Sequence, residues 1–114
     1  MKLFNRTKDY LISHEVLLAD KMYKRLKGLL GRKGLEEGCS MLIKPCNSIH
    51  TFFMKFPIDA VFIDKNYKVL KVLRNLVPGK ASPVVLGAWG VIEFEVKASH
   101  RLDIDEGDQL TLVI

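Results

Sequence analysis

Cys46, His50 and Met54 follow one another at intervals of four residues, a spacing that places them on one face of either a strand or a helix. Thiolate, imidazole and thioether suit soft metals, Cu(I) above all. Against a metal site, Asn47-Ser48 is expected to turn the chain between Cys46 and His50, and a full zinc site would need ligands from elsewhere. No metal ligand set is therefore assigned, and core packing of Cys46 and Met54 is the favoured reading. The same residue types also suit nucleophilic catalysis, with Cys46 attacking, His50 as its base and Asp59 orienting the imidazole. Nothing in the local sequence marks Cys46 as a low-pKa thiolate, because no strong helix start follows it. The structural alternative has His50 and Thr51 bonding to backbone at a sheet end and Asp59 capping the turn forced by Pro57.

Asp59 lies inside the apolar run 56–63, where an unpaired carboxylate is costly to bury. It should point outward or meet a cation, and Arg32, in a Gly-rich stretch, is the expected partner. A polar binding site gathered from Arg32, His50, Thr51 and Asp59 is the functional expectation. The stretch 21–33 carries six Lys and Arg and no acidic residue. Such a face could approach phosphates, but no aromatic platform, helix-turn-helix or Gly-rich phosphate loop accompanies it. A solvated basic face is the simpler reading, and a dedicated nucleic-acid site is not expected. Trp89, between small residues, could meet a ligand or a second chain, although core burial is the commoner fate of such a residue.

These residues need a scaffold, and 114 residues suffice for a single domain, 1–114, with one core. Hydrophobic residues at 48% and charged residues at 27% are near the globular average, so folding should need no cofactor. A net charge of +5 decides nothing about partners by itself. The first residues lack the apolar core of a signal peptide, and the longest nearly apolar run, 84–92, is about half a membrane span. A soluble, cytoplasmic protein is expected. Two cysteines, Cys39 and Cys46, are too few for a disulfide scaffold and read as thiols, with their ability to pair left open.

The elements follow from periodicity. Residues 9–18 alternate as a strand, blurred by Leu11 and Leu17. Asp20 can cap an amphipathic helix over 21–30, in which Met22, Leu26, Leu29 and Leu30 recur at helical spacing before Gly31 and Gly34. Beyond Gly38 short β-rich runs take over at 41–43, 49–56 and 58–63, with Pro57 interrupting. Residues 64–67 read as a hairpin turn leading to a strand at 68–77, followed by a loop at 78–83. The stretch 84–96 holds one or two strands, and its alternation puts Glu93 and Glu95 on an acidic face that should meet solvent or a basic partner. Residues 98–102 suggest a helical turn, 106–108 a turn, and 109–114 a strand closing the sheet.

The segments Arg25-Leu26-Lys27-Gly28-Leu29-Leu30-Gly31-Arg32, Pro45-Cys46-Asn47-Ser48-Ile49-His50-Thr51-Phe52-Phe53-Met54-Lys55-Phe56-Pro57-Ile58-Asp59-Ala60-Val61-Phe62-Ile63-Asp64, Val91-Ile92-Glu93-Phe94 and Gly107-Asp108 resemble the bacterial and archaeal domain of unknown function 192 family. The middle segment is long and specific. It is similar to the branch with a Cys-x-x-Ile-His-Thr stretch before Met-Lys-Phe-Pro-Ile-Asp. The resemblance covers the chain from about Ala19 onward and implies a compact β-rich fold with one helix. It implies no reaction.

The expectation is thus a mostly β, α+β fold: a small antiparallel β-barrel or rolled sheet with one packed α-helix. It would serve as a binding or accessory module for an unknown ligand or protein partner, with no metal and no cofactor. The alternatives are a small enzyme using Cys46 and His50 with Asp59, and a weak nucleic-acid or anionic-surface binder working through the basic helix.

Overall fold

A computed structural model describes residues 1–21, 24, 27–97 and 101–114. Eight strands run in the order β1 Lys2–Asn5, β2 Tyr10–Ser13, β3 Glu15–Ala19, β4 Cys39–Ile43, β5 Ile58–Ile63, β6 Val69–Leu76, β7 Gly90–Glu95 and β8 Leu110–Val113. They form a three-stranded sheet, β2-β1-β8, and a five-stranded sheet, β3-β4-β7-β5-β6. β5 and β6 are joined by the tight turn foreseen at 64–67, where the Asp64 carboxylate accepts the backbone N–H groups of Asn66 and Lys68. β7 is the middle strand, paired antiparallel with both β4 and β5. The β3–β4 pair is parallel, so the chain must cross over between them, and residues 20–38 make that crossing.

The two sheets share one apolar layer. Leu42, Ile92, Val61 and Val69 of the larger sheet pack with Leu3 and Leu110 of the smaller. The opposite face of the large sheet is covered by irregular chain. Leu29, Leu35, Met54 and Phe56 close over Met41, Ile43 and Ile58, while Cys46 and Ile49 pack against Ala60, Phe62 and Val91. Both faces of β5 and most of β7 are therefore buried.

Two parts of the expected fold are corrected. No sheet closes into a barrel, because β3 and β6 are the edges of an open sheet; the C-terminal strand β8 joins β1 in the second sheet instead. No packed α-helix is found among the described residues. Met22, Tyr23, Arg25 and Leu26 of the expected helix lie outside the described residues, as do Ala98, Ser99 and His100 of the expected helical turn. Lys24 and Lys27 have helical backbone, but Gly28, at φ 48°, adopts a left-handed conformation, which ends helical propagation. From there the chain runs in turns, with the N–H of Leu30 donating to the carbonyl of Lys27 and that of Arg32 to Leu29. Leu29 reaches the core from a turn.

Smaller differences have local causes. The single strand read over 9–18 is two strands broken at His14, whose N–H donates to the carbonyl of Gly38. β1 has no strong signal in its four residues and forms by pairing on both sides. The run 49–56 is a loop: only His50 makes a ladder contact, an isolated bridge to Ala81. Its apolar residues Met54 and Phe56 are buried over the sheet, whereas Phe52 and Phe53 are exposed. Within 84–96 one strand forms, β7. No helix of the described residues is long and apolar enough to cross a membrane.

Candidate functional site

The loop 45–56 leaves β4 through a cis Lys44–Pro45 peptide and is tied down at two points. The N–H of Cys46 donates to the carbonyl of Trp89 at 2.9 Å. Further on, Thr51 is fully buried and binds the neighbouring 77–82 loop through nearly all its polar atoms. Its hydroxyl donates to the carbonyl of Val77 at 2.7 Å and accepts the N–H of Lys80 at 2.9 Å. Its backbone N–H donates to the carbonyl of Lys80, and its own carbonyl accepts from Gly79. Thr51 is therefore a structural pin with no spare hydrogen-bonding capacity facing solvent.

His50 is exposed beside it. Its ring stacks on Phe52 with centroids 5.1 Å apart, and its Nδ1 accepts the N–H of Phe52 at 3.3 Å. The Cys46 thiol donates to the carbonyl of Ser48 at 3.1 Å. Asp59 sits on β5, where Oδ1 accepts the N–H of Asn75 at 2.8 Å. Asn75 has φ 53°, and the β5–β6 register slips between Ile58 and Ala60, so the carboxylate satisfies an amide that the bulge removes from the ladder. Arg32 is exposed on its turn and forms no ion pair with Asp59. The polar residues foreseen as one cluster occupy separate places: Cys46 and His50 line one pocket, and Asp59 lines another, between Tyr10, Cys39 and Lys97. The two cysteines thus line different pockets and are not joined in a disulfide. No group of three or more His, Cys, Asp or Glu side chains able to hold a metal is found among the described residues. The described basic residues Lys21, Lys24, Lys27, Arg32 and Lys33 all lie in solvent.

The pocket holding Cys46 and His50 has a volume of about 250 Å³. Turn residues Leu29 and Leu30 form one wall, Ile49 and Met54 another, and Glu93 of β7 also lines it. The position of Glu93 follows from register. Met41 of β4 and Ala60 of β5 flank it directly in the ladder, so apolar groups stand on both sides, and the loop 45–56 lies over the same face. Glu93 is only 4% exposed. Burial pushes its carboxyl from the usual 4.5 up to about 7. Among the described residues no hydrogen bond or ion pair reaches that carboxyl, yet no fully enclosed side-chain oxygen is without a partner. The oxygens must therefore open onto the pocket.

Two residues along on the same face, Glu95 behaves oppositely. Burial raises its carboxyl as well, but Lys97 at 2.5 Å and the N–H of Leu35 at 2.9 Å outweigh it and hold the group below the ordinary carboxylate range. The described residues thus supply partners to Glu95 and none to Glu93, two positions earlier on the same face. Sequence alternation assigned both to a face expected to meet solvent or a basic partner, which is correct for Glu95 with Lys97. Glu93 was missed as a site residue because nothing local to β7 reveals the loop that covers it.

Comparison with known proteins places this arrangement in context. A UPF0127 protein of Pyrococcus furiosus is 33% identical over 119 residues, covering 95% of this chain and 95% of that protein. One from Pyrococcus horikoshii is 35% identical over 102 residues, covering 80% and 87%. In structure, the chain is similar to a protein of unknown function from Novosphingobium aromaticivorans, with TM-score 0.80, 20% identity, and coverage of 97% of this chain and 82% of that one. It is equally similar to a protein described as a putative transcription regulator from Sinorhizobium meliloti, with TM-score 0.80, 21% identity, and coverage of 96% and 89%. At those identities the likeness is one of fold. The family model of uncharacterised proteins known as DUF192 matches residues 3–112, and the chain belongs to that family.

Proposed function

We propose that this protein is a small ligand-binding module whose site is the pocket between the 28–30 turn and the 45–56 loop. The observation that carries this reading is the Glu93 carboxyl, buried on the central strand, without a partner among the described residues, and lining that pocket. An unsatisfied buried polar group costs about 1–3 kcal/mol. A group left in that state next to a cavity is a common mark of a binding or active site, where the ligand completes the hydrogen bonding. The apolar walls supply contact area, Glu93 supplies direction, and His50 and Cys46 stand as further polar groups in the lining.

The reading keeps His50 and Cys46 as site residues and gives Thr51 and Asp59 supporting roles: Thr51 fixes the loop that forms one wall, and Asp59 fixes the β5–β6 bulge. The test is a methyl-resolved NMR screen with a collection of small fragments. Shifts should concentrate at Ile43, Ile49 and Met54 and weaken in Glu93→Gln. Binding confined to other surfaces, with these three methyl signals unmoved, would overturn the proposal.

A further inference from the structure

The Glu93 pocket constrains the chemistry of what it holds. An ionised carboxylate only accepts hydrogen bonds, and the groups beside Glu93 in the ladder, Met41 and Ala60, offer neither donor nor charge. The other titratable groups lining the pocket are Lys27, Cys46 and His50. Lys27 is exposed and makes no ion pair with Glu93, and His50 is stacked on Phe52 in the exposed part of the loop. Glu95, on the same strand, is taken by Lys97. Among the described residues no cation and no hydrogen-bond donor meets the Glu93 carboxyl, which leaves it open to a partner brought by a ligand. A volume of about 250 Å³ lies near the lower end of small-molecule pockets, roughly 300–1,000 Å³, and suits a small molecule.

On the basis of the binding reading above, we infer that the pocket takes a small organic ammonium ion, a protonated primary amine on a short apolar body, with the nitrogen on Glu93 and the hydrocarbon against Leu29, Leu30, Ile43, Ile49 and Met54. An ammonium brings three donors and one positive charge, enough to satisfy both carboxylate oxygens. In surroundings this apolar, the attraction between the two charges is far stronger than in water. An alcohol supplies a donor without the charge, and a carboxylic acid in its ionised form brings a second negative charge against Glu93. The ligand class is therefore separable from its isosteres by charge alone. Binding the ammonium should also return Glu93 to its ionised form, drawing its titration downward from the raised value that burial imposes.

The experiment uses the full chain with three probes of matched size: n-butylammonium, n-butanol and n-butyrate. Each is titrated at pH 7.5 while the methyl signals of Ile43, Ile49 and Met54 are followed by NMR, in wild type and in the isosteric Glu93→Gln variant. Butylammonium is expected to bind at the pocket at least about tenfold more tightly than butanol, a gap of ~1.4 kcal/mol, with butyrate weakest. The preference should vanish in Glu93→Gln, whose folding is checked by its methyl spectrum. If butanol or butyrate binds the pocket as tightly as butylammonium, or if the preference survives in Glu93→Gln, the ammonium inference is wrong while the pocket remains a binding site. If none of the probes moves those methyl signals, both the ammonium inference and the binding reading fail.

Discussion

The carboxylate of Asp59 on β5 accepts the backbone N–H of Asn75 on β6 at 2.8 Å, and Asn75 holds a left-handed conformation at φ 53°. A side chain thus stands in for the ladder carbonyl that the bulge displaces. Asp59→Ala should destabilise the fold by about 1.5–3 kcal/mol, because the part-buried Asn75 amide loses a charged acceptor. Asp59→Asn keeps a carbonyl oxygen in the same place and should cost less, about 1 kcal/mol. Arg32→Ala, at an exposed residue with no tie to Asp59, should fall within about 0.5 kcal/mol of wild type. Denaturant unfolding measures all three. Equal losses for Asp59→Ala and Arg32→Ala would mean that the two residues work as an ion pair after all.

Thr51 joins two loops through one hydroxyl that both donates and accepts. Thr51→Val keeps the shape and removes both bonds, so the N–H of Lys80 and the carbonyl of Val77 lose a partner, at a cost of about 1–3 kcal/mol. Thr51→Ser should retain most of the stability. Hydrogen exchange at the Lys80 amide gives the local readout, and it should quicken in Thr51→Val while amides of β5 are unchanged. Unaltered exchange at Lys80 would show that the backbone bond alone secures the loop.

What the sequence made legible was the local pairing. The strand at 58–63, the turn after it and the returning strand were all readable, because alternation, Pro57 and the Asp64-Lys65-Asn66 turn chemistry act within a few residues of one another. The crossover segment was not readable: leucines at helical spacing look the same whether they line a helix or, as at Leu29, reach the core from a turn after a left-handed Gly28. The loop 49–56 carried strand-like hydrophobicity for a different reason, since Ile49, Met54 and Phe56 cover a sheet face while Phe52 and Phe53 stay exposed. Glu93 was obscured by the same fact. Period-two alternation tells which side chains share a face, and coverage of that face by a distant loop is a tertiary property. Cys46 and His50 were legible as neighbours, whereas the gathering of Arg32, Thr51 and Asp59 around them depended on crossings that only the topology fixes.

Glu93 should also write its burial into the pH dependence of stability. Its folded titration point, about 7, lies above the usual 4.5, so between those values the folded state binds more protons than the unfolded chain, and stability falls as pH rises through this window. The difference is fully expressed above pH 7 and amounts to about 3 kcal/mol. Glu95 and Asp108 work in the opposite direction, since their carboxyls lie below the ordinary range and their contribution is lost on acidification. Comparing wild type with Glu93→Gln isolates the one term. Unfolding midpoints should converge near pH 4 and separate towards pH 8, with the Gln variant the more stable at the higher value. Parallel curves across this range would contradict the burial of an unpartnered carboxyl.

The most direct measurement is the titration of the Glu93 side-chain carboxyl carbon itself, followed by 13C NMR in the ligand-free protein. A carboxyl held without a partner against the pocket should give a midpoint of about 7, well apart from those of Glu95 and the exposed acids. A midpoint near 4.5 would mean that Glu93 is solvated or already paired, and the pocket would lose the group on which its assignment as a binding site rests.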